Sequence, residues 1–486
     1  MNFNSLGYIL LLPCAAIVYR ALPGKAKNVL LLIISYAFYM CWQPKYALLL
    51  LFITCLSYFA AIAVDKTERT RAKKLRLALF VILGFTPLFI YKYYNFFCGL
   101  IESALAAAGM KLSLGALDIV LPIGISFYSF QAVGYVIDVY REKTPVEKDL
   151  LTYALFISFF PQISAGPIGR APQLMPQIRE HRNADWQDIH EGLILFAWGL
   201  FKKMVIADQL AIIVNAAFNS PASCSSLQLF IASICFSVQI YCDFSGYSDM
   251  AIGSARFFGI RLMRNFDAPY LSRSVKEFWR RWHISLSSWF RDYLYFPLGG
   301  SRKGYWITLI NVMIVFTVSG LWHGAAMTFV VWGALNGLFQ VIGTLLSKQR
   351  IKLRHKLHIS EDAPLLVLLQ TVGTFVLMTI AWTFFRANSL YDALFILKRI
   401  ALGFIGRSPL PFEFASLSLS IPIIFIVSLS IVLLAYTSIR RESVSKKLLE
   451  SIPLRTCALF VIAAAILLFG SYGGGYNPQD FVYFKF

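Results

Sequence analysis

Apolar residues recur in charge-poor runs near 5–19, 28–42, 46–64, 77–97, 119–139, 150–165, 192–218, 227–242, 305–322, 325–346, 363–385, 419–436 and 453–471. A helical membrane span needs about 20 such residues, so the pattern predicts about 11–13 membrane segments, some of them short. Backbone groups find no partner in lipid, which restricts spanning structure to helices or closed barrels. A barrel would show short alternating segments instead. The expected fold is therefore all-α, a polytopic transmembrane helical protein. Pro161, Gly166 and Pro167 interrupt the run at 150–165, which reads as a short or re-entrant piece. No repeat of fixed period appears, and residues 1–486 read as a single transmembrane domain.

The polar linkers orient the runs. Asp65–Arg76 carries six Lys/Arg and Arg20–Lys27 three, with two predicted helices between them. Residues 347–358 and Arg440–Arg455 carry five each, again two helices apart. Cationic linkers mark the cytoplasmic side. This count places the N-terminus and the tail 472–486 outside the cell. The first basic residue is Arg20, so the start lacks a signal-peptide n-region, and the first run is expected to stay as a membrane helix.

Composition agrees. Hydrophobic residues make up 58% of the chain and charged residues 14%, with mean hydropathy +0.64. Soluble domains run at about 45–50% and about 25%, so a soluble enzyme or a disordered chain is excluded. The net charge of +20 sits in the short linkers, which points to topology rather than nucleic acid, though part of it could attract an anionic ligand. The eight cysteines form no CxxC pair and read as reduced packing residues, without a metal site.

Within Gly304–Ser347 there is no Asp, Glu, Lys or Arg. The side chain there that titrates near neutrality is His323, in Ser319-Gly320-Leu321-Trp322-His323-Gly324-Ala325. An ionisable group inside a membrane run marks a candidate functional site, and imidazole can accept a hydroxyl proton. A histidine that only hydrogen-bonds a neighbouring helix is the plainer alternative. Gly320 and Gly324 would allow close approach of backbone or ligand.

A second constellation runs from Glu277 to Tyr293. On a continuous helix, Trp279, Trp282, His283, Leu286, Trp289, Phe290 and Tyr293 share an arc of roughly 120°, opposite Arg280, Arg281 and Arg291. This predicts an amphipathic interfacial helix with His283 on its buried side. Nine cations fall within 261–303, including Arg273, Lys276, Arg280, Arg281 and Arg291. Lipid headgroups or a nucleotide phosphate would suit them. Asp243 and Asp249, across Gly246, are expected to cap helices. No Walker A, GxGxxG, HExxH or GxSxG motif is present.

Four stretches together resemble the bacterial cell-surface branch of the membrane-bound O-acyltransferase family: Pro161–Ile168, Asp243–Asp249, Asn265–Gly300 with its Trp-Arg-Arg-Trp-His-Ile-Ser-Leu-Ser run, and Ser319–Gly324. That branch includes alginate and peptidoglycan O-acetyltransferase subunits and a teichoic-acid D-alanyl transferase. The resemblance implies a ring of tilted helices around a central tunnel, with His323 and His283 as the catalytic pair. It implies acetyl-CoA as donor, held by the 261–303 cations, in the plasma membrane of a bacterium. It also implies an extracytoplasmic transferase partner that O-acetylates a surface polysaccharide. The tail Phe481–Phe486 resembles a C-terminal motif whose tyrosine, here Tyr483, carries the acyl group. The alternatives are D-alanyl transfer by the same fold and, in another class, a transporter or pore.

Overall fold

The apolar runs fold as helices, and no β-strand occurs among the described residues. The computed structural model describes residues 2–110, 112–164, 166–406 and 421–472. Its α-helices are α1 (Leu6–Ala21), α2 (Gly24–Met40), α3 (Tyr46–Asp65), α4 (Thr70–Leu88), α5 (Tyr94–Ala107), α6 (Ile125–Tyr140), α7 (Leu150–Ser158), α8 (Phe160–Ile163), α9 (Ala171–Glu180), α10 (Trp186–Phe201) and α11 (Asp208–Asn219). They continue with α12 (Ser226–Arg256), α13 (Val275–Arg281), α14 (Ile284–Phe290), α15 (Tyr305–His323), α16 (Met327–Leu345), α17 (Ser347–Lys356), α18 (Pro364–Arg386), α19 (Leu390–Phe404), α20 (Ile421–Ile439), α21 (Arg441–Glu450) and α22 (Ile452–Phe469).

Among the described residues, seven helical stretches are long and apolar enough to cross a membrane: Tyr46–Asp65, Thr70–Ala107, Ser226–Arg256, Tyr305–His323, Met327–Leu345, Pro364–Arg386 and Ile452–Phe469. Two shorter apolar helices, Leu6–Ala21 and Leu150–Ile163, fall below that length. Other expected segments form helices of 16 or 17 residues, namely α2, α6 and α10. The run at 192–218 loses length because a π-helical turn, Lys202–Ala207, separates α10 from α11.

The chain gathers into two compact units: Met1–Phe196 with Ser248–Met263, and Ala197–Tyr247 with Arg264–Phe486. In the first, Tyr8 is fully buried among Phe3, Phe38, Phe160 and Phe196, and its hydroxyl donates to Ser254 Oγ at 2.9 Å. The short α7 is enclosed by protein from Thr152 to Ser158, which suits a segment of nine residues that cannot span lipid. Fully buried Asp188 accepts from Arg182, Arg256 and Arg261 at 2.6, 2.9 and 3.0 Å.

In the second unit, α15 and α16 are antiparallel and meet backbone to backbone. A Cβ on Gly320 would strike the Phe329 carbonyl oxygen and lie 3.1 Å from Gly333 Cα. A Cβ on Gly333 would lie 3.0 Å from Gly320 Cα. Gly337 repeats the contact lower down, against Met313 and Phe316. Aromatic rings then join α16 to α18, with Trp332 stacked on Trp382 at 5.5 Å and Phe329 edge-on to Phe385 at 5.0 Å. This close packing puts the C-terminal end of α15 and the N-terminal half of α16 against the C-terminal end of α18.

Candidate active site

His323 is the last residue of α15 and is 4% exposed. Trp322, Trp332 and Phe385 present their rings at 4.9, 4.9 and 5.6 Å, each close to perpendicular to the imidazole. Gly320 is required by the α15–α16 contact, and Gly324 by the Phe329 ring that a Cβ there would overlap. Both flanking glycines therefore serve helix packing, which in turn fixes where α15 ends and where His323 stands.

The stretch 277–293 is not one helix. It breaks at Trp282–His283 into α13 and α14, followed by a π-helical turn, Arg291–Tyr295. His283 takes a left-handed backbone, φ 45° and ψ 55°. The preceding loop accounts for the break: Asp267 N–H donates to Arg281 O at 2.9 Å, and Ile284 N–H to Asn265 O at 3.0 Å. These bonds satisfy backbone groups that a continuous helix would have paired internally. The expected buried side nonetheless is buried, since Trp279, Trp282, His283, Leu286, Trp289, Phe290 and Tyr293 are all in the core. The aromatic side of the segment is thus internal to its unit, while Arg280 and Arg291 are exposed.

Asn265 organises the break. Its Oδ1 accepts from Ser285 N–H at 3.1 Å and Ser285 Oγ at 2.9 Å, and lies 3.2 Å from His283 Nδ1. A backbone N–H can only donate, so the atom it meets is the oxygen, and His283 Nδ1 must carry a proton to bond it. The neutral ring then has its lone pair on Nε2. Burial pushes the His283 pKa from 6.5 down to about 3, so the ring is neutral at physiological pH. Trp322 lies between the two histidines, 6.2 Å from His283 and 4.9 Å from His323 between ring centroids. Phe244 of α12 packs edge-on against His283 at 4.6 Å. Below them, Trp282 stacks on Phe278 and meets Phe266 and Trp382. Trp279 Nε1 donates to Asn336 Oδ1 at 3.1 Å, anchoring α13 on α16.

Asp243 does not cap a helix: α12 runs on through it to Arg256. Its carboxylate, 1% exposed, pairs with Lys203 at 2.7 Å, and Lys203 also reaches Asp208 at 2.8 Å. Lys202 donates to Ser245 Oγ at 2.8 Å. These lysines went unremarked in the sequence, although two cations inside the run at 192–218 were a signal that something must pair them. Asn265, Asn336, Trp332 and Phe385 gave no such signal, because nothing in their local spacing shows that they converge.

Three of the five named cations form ion pairs. Arg273 pairs with Asp362 at 2.9 Å, Arg281 with Glu277 at 2.7 Å and Arg291 with Asp292 at 3.0 Å. Lys276 and Arg280 are exposed and have no ion-pair partner among the described residues. Tyr483 and the tail from residue 473 lie outside the described residues.

The chain is similar to known proteins. The membrane-bound O-acyltransferase family, abbreviated MBOAT, matches residues 144–385, an interval containing both histidines. The chain is 37% identical over 420 residues to the probable alginate O-acetylase AlgI of Pseudomonas aeruginosa, covering 84% of this chain and 78% of that protein. It is 36% identical over 418 residues to the peptidoglycan O-acetyltransferase of Helicobacter pylori, covering 80% and 77%. The teichoic acid D-alanyltransferase of Bacillus subtilis is 29% identical over 236 residues, covering 44% and 57%. The chain belongs to the membrane-bound O-acyltransferase family, and it is a multi-pass membrane enzyme that transfers an acyl group to oxygen.

Proposed function

We propose that this enzyme moves an acetyl group from cytoplasmic acetyl-CoA across the inner membrane of a bacterium, for O-acetylation of a surface polysaccharide. The observation that carries the reading is the burial of His323 at the end of a full-length span, one indole away from a neutral His283. Two relatives that match over most of their length are named for acetyl transfer, while the D-alanyl relative matches over less than half of this chain. That difference favours acetyl over D-alanyl.

In this mechanism His323 removes the proton from the acceptor hydroxyl as its oxygen attacks the thioester carbonyl. The tetrahedral adduct collapses, the C–S bond breaks, and the departing thiolate takes the proton back from His323. His283, whose Nδ1–H is directed at Asn265, is assigned to accept a hydrogen bond at Nε2 and orient the acceptor. Lys276 and Arg280 are the cations best placed to meet the donor's phosphates, since their neighbours are already paired. Tyr483 is the first acceptor in this scheme and hands the acetyl group to an extracytoplasmic partner. A phenol is the more acidic hydroxyl, with a pKa of about 10, so its ester is the better donor for the second transfer.

The test is thiol release by the purified enzyme offered acetyl-CoA or a D-alanyl thioester. The reading expects turnover with acetyl-CoA and an acetyl group on Tyr483 by mass spectrometry. Turnover with the D-alanyl thioester alone would replace acetyl by D-alanyl.

A further inference from the structure

Acyl transfer from a thioester passes through a tetrahedral adduct whose former carbonyl oxygen is negative, and none of the residues assigned so far holds that oxygen. Lys202 and Lys203, buried in the same unit as His323, are engaged by Ser245, Asp208 and Asp243. The stretch Gly304–Ser347 around His323 has no Lys or Arg. A neutral donor is what remains, and a fixed N–H group in a water-excluded setting suits the task.

Trp332 carries such a group. It stands in the second turn of α16 and is fully buried. Among the described residues its Nε1–H meets no hydrogen-bond acceptor. A buried indole usually finds one, because an unmade bond leaves the whole cost of desolvation. Its neighbours show the usual outcome: Trp279 donates to Asn336 Oδ1 at 3.1 Å, and the Tyr270 hydroxyl stands beside Trp382. Asn336 even reaches the backbone carbonyl of Trp332, with its Nδ2 at 2.8 Å, yet its Oδ1 is turned to Trp279. The rings of Phe385, Trp382 and Trp279 pack on Trp332 at 5.2, 5.5 and 5.7 Å, and ring faces are weak acceptors.

The place of this donor matters as much as its being unpaired. Helical side chains lean toward the N-terminus of their helix. The lean carries the Trp332 indole back to the end of α15, where its centroid lies 4.9 Å from that of His323 with the planes 85° apart. α16 begins at Ala326 with no side chain capping its first N–H groups, so the positive end of its dipole lies one turn away. An unpaired donor, a positive helix end and the proton acceptor thus converge.

We propose that Trp332 is a further catalytic residue, whose Nε1–H donates to the carbonyl oxygen of the acyl donor as that oxygen becomes an oxyanion. The acceptor oxygen bonds to the thioester carbon while His323 takes its proton, and the carbonyl π pair moves onto the oxygen facing the indole. The indole keeps its proton throughout. On collapse the pair re-forms the C=O bond, the C–S bond breaks, and sulfur leaves with that pair and takes the proton from His323. The role rests on the acyl-transfer reading above.

The experiment makes Trp332→benzothienylalanine in the full-length enzyme, which puts sulfur where the indole has N–H and keeps the ring's size and stacking. The kcat for thiol release from acetyl-CoA should fall about 10²–10³-fold, the loss typical of one oxyanion donor, with KM changed by less than about threefold. Two analogues add a readout that packing alone would not move. S-trifluoroacetonyl-CoA has a ketone that adds a hydroxyl to give a stable tetrahedral alkoxide, and it should bind the variant at least about tenfold more weakly than the native enzyme. S-acetonyl-CoA keeps a trigonal carbonyl and should bind both alike. A native kcat in the variant overturns the proposal, and so does an equal loss of affinity for both analogues. Where the variant fails to assemble, equal binding of the two analogues by the native enzyme overturns it. Absence of thiol release from acetyl-CoA by the native enzyme discards the acyl-transfer reading and this role with it, an outcome distinct from native turnover beside an unimpaired variant.

Discussion

The two histidines sit one tryptophan apart and are built in opposite ways. His323 ends a regular membrane helix, and its surroundings are rings brought by α16 and α18. His283 sits at a left-handed break between two seven-residue helices, with its tautomer set by Asn265. One is placed by helix packing over long sequence distances, the other by a local hydrogen-bonded turn. The difference teaches a division of labour. A locked tautomer suits a residue that orients a partner.

The sharpest way to break this comparison is to exchange the losses. His323→Gln should lower transfer by about 10²–10⁴, the contribution of general-base catalysis, with normal membrane abundance. Equal activity in a well-expressed variant would remove His323 from the chemistry. His283→Asn comes next. Asparagine tolerates the left-handed backbone, so the turn survives and transfer should fall about 10²-fold, the loss typical of one positioned hydrogen bond. A drop in abundance with unchanged turnover per molecule would make His283 a purely structural residue.

Packing predicts a smaller effect on stability. Gly320→Ala puts a methyl into the Phe329 carbonyl and the Gly333 backbone, neither of which can move aside as a side-chain tip would. About 1–3 kcal/mol of destabilisation is expected, read as a lower thermal midpoint with the activity of the surviving protein reduced. An unshifted midpoint would mean that α15 and α16 are not in backbone contact.

The smallest expected effect is in pH. Burial lowers the His283 pKa to about 3, whereas an unfolded histidine titrates near 6.5. Between those values the unfolded chain holds a proton that the native ring lacks, so stability falls as pH drops from about 6.5 toward 3 and is unaffected above. The thermal midpoint should therefore decline more from pH 7 to pH 5 in the native protein than in His283→Asn. Parallel declines would mean that His283 gains its proton in the folded state too.

Much of the fold was legible because lipid imposes one solution on apolar runs. Periodicity correctly put the 277–293 aromatics on the inside, since burial follows composition. It could not show the break at His283, because that depends on Asn265, which is distant on a helical count but adjacent in space. Asp243 misled for a related reason. A carboxylate beside a glycine commonly caps a helix, but here Lys203, 40 positions earlier, neutralises it and lets α12 continue. Gly320 read as a close approach of backbone or ligand and is a backbone contact, a distinction that only the partner helix makes. The His323 signal survived because a single titratable residue in an uncharged run needs no tertiary information to stand out.

The central claim is that an acetyl group passes from a donor on the cationic-linker side, by way of His323, to a hydroxyl on the other. Sealed proteoliposomes of uniform orientation test it directly, with labelled acetyl-CoA confined to the side bearing residues 347–358 and the acceptor on the opposite side. The account predicts labelled O-acetyl ester on the acceptor side with the native protein and none above background with His323→Gln. Ester formed equally by both proteins, or formed only when donor and acceptor share a compartment, would contradict it.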